Sequence, residues 1–509
     1  MRRGDYLKRH GLRWPLRRVL EKTAERCFGT LDRSPLLQPI RTVPEGEEPL
    51  ISLLIPVYNT RPEWLQALAA SLLGQTWPRW EACLYDGGST RAETWQMLRT
   101  LEGEDARFRV CPGTENEGIS GNTNRAAAMA RGGYFALCDH DDLLTPDALA
   151  CMAETIRRTG AELLYSDEDR LQGGHHLDAH LKPDWSPDNL CSAHYCCHLT
   201  VLSRSLWERV GGLRPAFDGS QDHDLFLRCS ERTAPIVHVP RILYHWRNTG
   251  TSMSHRQLAR CVNASARAVE EHMARLGYPG TAEPEGEIIR PHWPLRLPVT
   301  VEALITARTP EEAAACAATL HAAEGMTLQC TPLVGADCKG QLDRAAAAST
   351  ADLLLLLDAD IRPKGEDFLR ETASLAQRDF TGLVFPTVTD RRGHILHAGY
   401  ALMADGRVLP RNLGLLQRAG GRNMQELYNH NVSAGSTRCC MLKRSLYRPM
   451  AGQGDAAWCL GIPGYHVAAP WAACTARTWN EPPETLTPPV RDPYLHPVYA
   501  EKKRADFTR

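Results

Sequence analysis

The chain has 509 residues, 43% of them apolar, and a formal net charge of -1. That length exceeds one ordinary core, so two domains or more are expected. The composition excludes a disordered chain, and the balanced charge excludes a globally basic binder, so no nucleic-acid partner is expected.

The elements follow in chain order. Residues 1–46 open with nine Lys or Arg and three acids in the first 26 positions, interleaved with Tyr6, Leu7, Leu12, Trp14, Leu16, Val19 and Leu20. This basic, partly amphipathic helical pattern admits peripheral contact with an anionic membrane face or packing on the next domain. It lacks the apolar core of a secretory signal, which predicts a cytoplasmic protein. No apolar run reaches the ~18 residues that span a bilayer, since even Leu353–Leu357 is flanked by Asp352 and Asp358. Seventeen cysteines are scattered without zinc-type spacing and read as reduced, mostly buried thiols.

From residue 47 to 256 strands alternate with helices. Leu50–Val57 and Trp80–Tyr85 read as strands, Glu63–Leu73 and residues 91–101 as helices, and Tyr134–Cys138 as a later strand. The pattern predicts an α/β domain with a mainly parallel sheet. Ligands of such sheets bind beyond the carboxyl ends of the strands. Tyr58-Asn59, Asp86 and Asp139–Asp142 all fall there.

Asp139 and Asp141 stand two apart at a strand end, where like charges repel, and a hard divalent cation with oxygen ligands relieves such a pair. The bland alternative is an acidic loop capping the helix after Pro146, a role expected of Asp142 or Thr145. Asp86 can accept from a base or sugar group, or simply form the turn with Gly87-Gly88. Asp222, in G219-S-Q-D-H-D224, suits a general base, with Asp224 the better helix cap. His245 is a further possible metal ligand or a structural imidazole.

Taken together, I55-P-V-Y-N59, Y85-D-G-G-S-T90, N116-E-G-I-S-G-N-T-N-R125, D139-H-D-D142, G219-S-Q-D-H-D224 and Y244-H-W-R247 resemble the family 2 glycosyltransferases of GT-A fold. The likeness is to the bacterial polysaccharide and O-antigen type, with similar tracts at Y165-S-D-E-D169, L181-K-P-D-W-S-P-D188 and H198-L-T-V201. It covers about residues 48–256. The resemblance implies a nucleotide-sugar donor (UDP-, dTDP- or GDP-linked) in a pocket lined by Pro56, Tyr58 and Asp86, with support from Asn116 and Asn124. It implies Mg²⁺ or Mn²⁺ on Asp139 and Asp141, completed by His245, with Asp139 also at the cofactor. Asp222 would deprotonate a hydroxyl of a glycan or lipid-linked acceptor, giving inversion. Gly87 stands where many relatives have a second Asp, and Gln221 replaces a frequent Glu.

Residues 257–298 read as a helix (257–275) and a Pro/Gly-rich connector. Residues 299–480 then repeat the first domain in divergent form. Asp343-Arg-Ala-Ala-Ala347 precedes Asp358 by 15 residues, as Asn124-Arg-Ala-Ala-Ala128 precedes Asp139, and Leu442-Lys-Arg-Ser-Leu-Tyr447 echoes Leu202-Ser-Arg-Ser-Leu-Trp207. Pro56 to Asp139 spans 83 residues, but Thr306 to Asp358 only 52, so a strand and helix are missing or shortened. Asp358 and Asp360 could still hold a metal, and Asp455 keeps the place of the base. With no matching histidine, an inactive or acceptor-binding copy is favoured over a second active one. Residues 481–509 form a Pro-rich tail, read as an ordered wrap or extended segment.

Two rivals are weaker. A sugar nucleotidyltransferase would show a Gly-rich basic phosphate loop where P56-V-Y-N-T-R-P62 stands, and an NAD enzyme a GxGxxG. A non-catalytic nucleotide-sugar or glycan-binding scaffold remains open for the second half.

Overall fold

The computed structural model describes residues 48–248, 257–335, 337–417, 427–450 and 452–476, with 479, 481 and 483–500. The basic segment 1–46 lies outside the described residues. Two compact units form: one runs to Trp185 and from Leu190 to His292, the other takes Ser186–Asn189 and the chain from Trp293 onward.

In the first unit, strands β1 (Ile51–Val57), β2 (Trp80–Asp86), β3 (Phe108–Pro112), β4 (Tyr134–Leu137), β5 (Leu143–Leu144), β6 (Leu163–Gln172), β7 (His175–His180), β8 (Thr200–Ser203) and β9 (Ile236–Arg247) share one sheet. The order is β3-β2-β1-β4-β8-β6-β9-β5, with β7 on β6. β1, β2, β3 and β4 run parallel, while β8 is antiparallel to β4. Every residue of β1 is buried, which explains its unbroken apolar run: a parallel strand covered on both faces has no polar side. The helix Pro62–Leu73 starts with proline in its first turn, where no N–H is needed, and buries Leu65, Leu68, Ala69 and Leu72 along one stripe. Truncating Leu68 to Ala in this packed layer would cost about 2–5 kcal/mol.

The helix Leu258–Arg275, read from sequence as a helix ahead of a Pro/Gly-rich connector, packs into this unit. The Ser220 hydroxyl donates to the Cys261 carbonyl at 2.7 Å, and the His223 ring meets Ser265 Oγ at 3.1 Å. Its buried Cys261, Ala264, Ala268, Val269 and Met273 supply the apolar face that made it legible as a helix. Its membership depends on the residues it meets, which spacing does not reveal.

The second unit repeats the plan. β10 (Val299–Ala307), β11 (Met326–Val334), β12 (Leu353–Asp358), β13 (Ile361–Pro363), β14 (Thr381–Thr389), β15 (Cys439–Lys443) and β16 (Tyr465–Ala476) run in the order β11-β10-β12-β15-β14-β16-β13. Only one strand lies outside β10 where two, β2 and β3, lie outside β1. A strand and a helix are therefore absent from this sheet among the described residues. The tail folds back: Glu484–Thr485 pairs with Arg407–Pro410, and the buried Asp492 accepts from the Leu402 N–H and the Ser433 hydroxyl. Cysteines among the described residues are free and mostly buried, and no described helix is long and apolar enough to cross a membrane.

Candidate functional site

Parallel pairing sets the carboxyl ends of three strands side by side. Val57 is in register with Asp86, and Leu54 with Leu137, so the chain leaves β1 at Tyr58, β2 at Gly87 and β4 at Cys138 along one edge. Pro56 is buried one residue inside the end of β1, opposite Tyr85. Tyr58, by contrast, is 41% exposed, an aromatic face open to a ligand.

Asp86 is buried and accepts from the Ser89 N–H (3.2 Å) and hydroxyl (2.5 Å). Asn59, at φ 50°, ties the neighbouring loop to it. Its N–H donates to Ser89 Oγ at 2.8 Å, and its Oδ1 accepts from the N–H groups of Thr90 (2.8 Å) and Arg91 (3.0 Å). Asn tolerates the left-handed conformation because its short amide bonds locally.

The glycine at 87 has a steric cause. A Cβ there would lie 2.5 Å from Asn122 Nδ2, which donates to Asn116 Oδ1 at 2.9 Å. No second aspartate fits while Asn122 holds that place. Asn116 thus reaches the strand-end edge through Asn122. Asn124 faces elsewhere: its amide brackets Leu213, accepting from the N–H at 3.0 Å and donating to the carbonyl at 2.9 Å.

At the end of β4, Asp139, Asp142 and His198 bring ligand atoms within 4.8 Å of one another. His198 Nε2 is 3.7 Å from Asp139 Oδ2, its ring stacks on Tyr244 at 4.6 Å, and its buried Nδ1 has no hydrogen-bond partner. Asp142 caps no helix, contrary to expectation. Its wholly buried carboxylate accepts from the Tyr244 hydroxyl and the Arg247 N–H, both at 2.7 Å. Burial pushes Asp142 far above the usual carboxylate range, and the charges of Asp139 and Asp141 add to it. Burial also raises Asp141, whose carboxylate lies 3.9 Å from His140 rather than inside the three-residue cluster. Oxygen-rich donors that repel one another, with an orphaned imidazole nitrogen, fit a divalent cation.

His245 stands apart from that cluster. Tyr244 turns toward Asp142, and successive side chains of a strand point to opposite faces. His245 accordingly meets Asp169 at 2.6 Å. The family resemblance placed His245 with Asp139, and the alternation of β9 separates them.

Asp222 lies in the first turn of the helix Gln221–Ser230. Burial would raise its pKa, but His194, 3.4 Å away through Nε2, together with the charge of His198 and the His223 N–H, holds it well below the usual range. His194 stacks on His223 at 5.1 Å, and burial keeps His223 neutral, its pKa lowered to about 3. His198 therefore acts electrostatically on the base candidate while lying against Asp139. Asp224 is no cap: its buried carboxylate pairs with Arg228 at 2.8 Å and with Arg214.

Residues 52–182 match the family described as Glycosyl transferase family 2. The chain carries a family 2 glycosyltransferase domain. Around it the first unit has the mixed α/β sheet of the GT-A fold, and the second unit is a divergent sheet of the same plan. The chain is 32% identical to the protein y4gI of Sinorhizobium fredii over 80% of its own length and 49% of that protein. It is 38% identical to the O-antigen biosynthesis protein RfbC of Myxococcus xanthus over 46% of its length and 18% of that protein. It thus spans half or less of these relatives. Among solved structures, Staphylococcus aureus TarS (1–349, with UDP) aligns over 44% of this chain and 72% of that chain, at 16% identity and TM-score 0.35, too low to bear on function.

The second unit has filled its corresponding site. Phe135 pairs with Leu202 in the first unit and Leu354 with Leu442 in the second. Counting the same distance along each strand sets Asp139 with His198, and Asp358 with Arg438. Arg438 Nε donates to Asp358 Oδ2 at 3.0 Å, and its Nη2 lies 3.8 Å from Asp360. Asp455 is likewise engaged, accepting from the Thr437 N–H (2.8 Å) and hydroxyl (2.9 Å). Sequence reading missed His198, although the repeat that aligns Leu202 with Leu442 points to it.

Proposed function

We propose that the first unit transfers a sugar from a nucleotide-sugar donor to a hydroxyl of a glycan or lipid-linked acceptor, with inversion, in cell-surface polysaccharide synthesis. The observation that carries this is the Asp139–Asp142–His198 cluster beyond the end of β4, together with Asp222 set 3.4 Å from His194 and kept anionic. Tyr58 and Asp86 receive the nucleoside, a UDP, dTDP or GDP portion, beside Pro56 and the loop held by Asn116. Asp139, Asp142 and His198 would hold Mg²⁺ or Mn²⁺, with Asp141 adding negative charge at the rim. When bound, the cation supplies positive charge beside the leaving diphosphate.

Asp222 accepts the proton of the acceptor hydroxyl as its oxygen bonds to the anomeric carbon and the nucleoside diphosphate departs from the opposite side. A carboxylate of low pKa stays ready at any ordinary pH, and His194 fixes its orientation. The name of the RfbC relative supports the polysaccharide setting. The second unit, its acids neutralised by Arg438, has a non-catalytic role in this reading, such as holding the acceptor.

The test is nucleoside diphosphate release by the full chain, with Mg²⁺ or Mn²⁺, across a panel of UDP-, dTDP- and GDP-sugars and lipid-linked acceptors. At least one donor should turn over, and Asp222→Asn should abolish that turnover. Silence across the panel, or full activity in the variant, would overturn the reading.

A further inference from the structure

A second cluster of ligand-type side chains lies on the neighbouring strands. Asp169 on β6, His176 on β7 and His245 on β9 place one ligand atom each within 4.8 Å of one another. His245 Nδ1 is 2.6 Å and His176 Nδ1 3.3 Å from the same oxygen, Asp169 Oδ1, and the two rings lie 4.3 Å apart. The topology makes this inevitable: β6 lies between β7 and β9, with Asp169 in register with His245 and Leu171 with His176. The β6–β7 turn passes through Gly173 and Gly174, both at positive φ, which lets the hairpin close tightly and bring His176 back over β6.

The environment is that of a ligand set with an entrance. The Asp169 side chain is 1% exposed and that of His245 14%, while His176 is 44% exposed and opens the cluster to solvent. Two imidazoles turned on one shielded carboxylate make an N₂O set, which suits borderline transition metals that keep open positions for water. The Asp139 cluster has the opposite character, two carboxylates to one imidazole, which suits harder cations.

We propose that Asp169, His176 and His245 form a transition-metal site of the Zn²⁺ or Co²⁺ type, separate from the cluster at Asp139, which staples the β6–β7 hairpin to β9. The site stands on these three residues and does not depend on the transferase reading.

The experiment uses the full chain, stripped with chelator, titrated with Co²⁺ or Zn²⁺ alone. Binding is followed by calorimetry and by the visible absorption of Co²⁺, which reports nitrogen ligation without reference to activity. At this cluster one ion per chain should bind with a Co²⁺ band, in addition to any ion taken up by the Asp139 cluster. His176→Ala, a change at a half-exposed side chain, should remove the band and weaken binding by at least about tenfold, whereas Asp139→Asn and His175→Ala should retain both. A Co²⁺ band and stoichiometry unchanged by His176→Ala, a band lost with Asp139→Asn or His175→Ala instead, or no band in the unmodified chain would overturn the proposal.

Discussion

Asp139 and Asp358 end corresponding strands in two copies of one architecture, yet one faces an imidazole and the other a guanidinium. The difference rests on a single position. Histidine at 198 is a ligand when neutral and can yield its place to a cation. Arginine at 438 is charged at every accessible pH and occupies the acids itself. An acidic pair at a strand end therefore says nothing about metal binding until the residue on the adjacent antiparallel strand is known.

The largest expected contrast is between the two base positions. Asp222→Asn should lower turnover by roughly 10²–10⁴-fold, whereas Asp455→Asn should leave it unchanged, both read as nucleoside diphosphate release. Equal losses would mean that the second unit does chemistry too.

Exchanging the cations comes next. His198→Arg should weaken Mn²⁺ binding by about 10–100-fold, measured by calorimetry or magnetic resonance of bound Mn²⁺. The reciprocal Arg438→His frees Asp358 and Asp360, and should add a weak Mn²⁺ site. If neither changes stoichiometry, the comparison has been drawn at the wrong residue.

A smaller effect concerns pH. The Asp222 anion persists to unusually low pH because His194, His198 and the His223 N–H outweigh burial, and it is lost only as pH falls through that depressed pKa. His194→Gln removes the largest of those opposing influences. The acid limb of kcat/KM should then move up toward the ordinary carboxylate value of about 4, or beyond it, since burial acts upward. The stability that Asp222 contributes above the ordinary carboxylate range should shrink in parallel.

The smallest expected effect is steric. Gly87→Ala drives a methyl against Asn122, at a cost of about 1–3 kcal/mol read as a lower Tm. Asn122→Ala in the same chain should relieve part of it, a coupling that additive effects would not give.

Much of the first unit was legible because strand ends in an α/β domain are marked by composition: an unbroken apolar run, then Tyr58, Asp86 or Asp139. What escaped was the direction of side chains and the identity of cross-strand neighbours. His245 follows Tyr244 in sequence, but the two project to opposite faces, so the family resemblance put His245 with Asp139 while the fold gives it to Asp169 and His176. Asp142 looked like a cap because it precedes a helix, and it is instead drawn inward by the Tyr244 hydroxyl and Arg247 N–H, more than a hundred residues away. His198 became visible through the pairing of β4 with β8. In each case the missing information was a long-range register.

The clasp made by Asn59 has a thermodynamic consequence. Because one amide and one backbone N–H bind Ser89, Thr90 and Arg91 to the end of β1, the two loops cannot fluctuate independently. Their ordering entropy is lost when the chain folds and not when a ligand arrives, so a molecule entering beside Tyr58 and Asp86 meets a rigid rim and retains more of its intrinsic binding free energy.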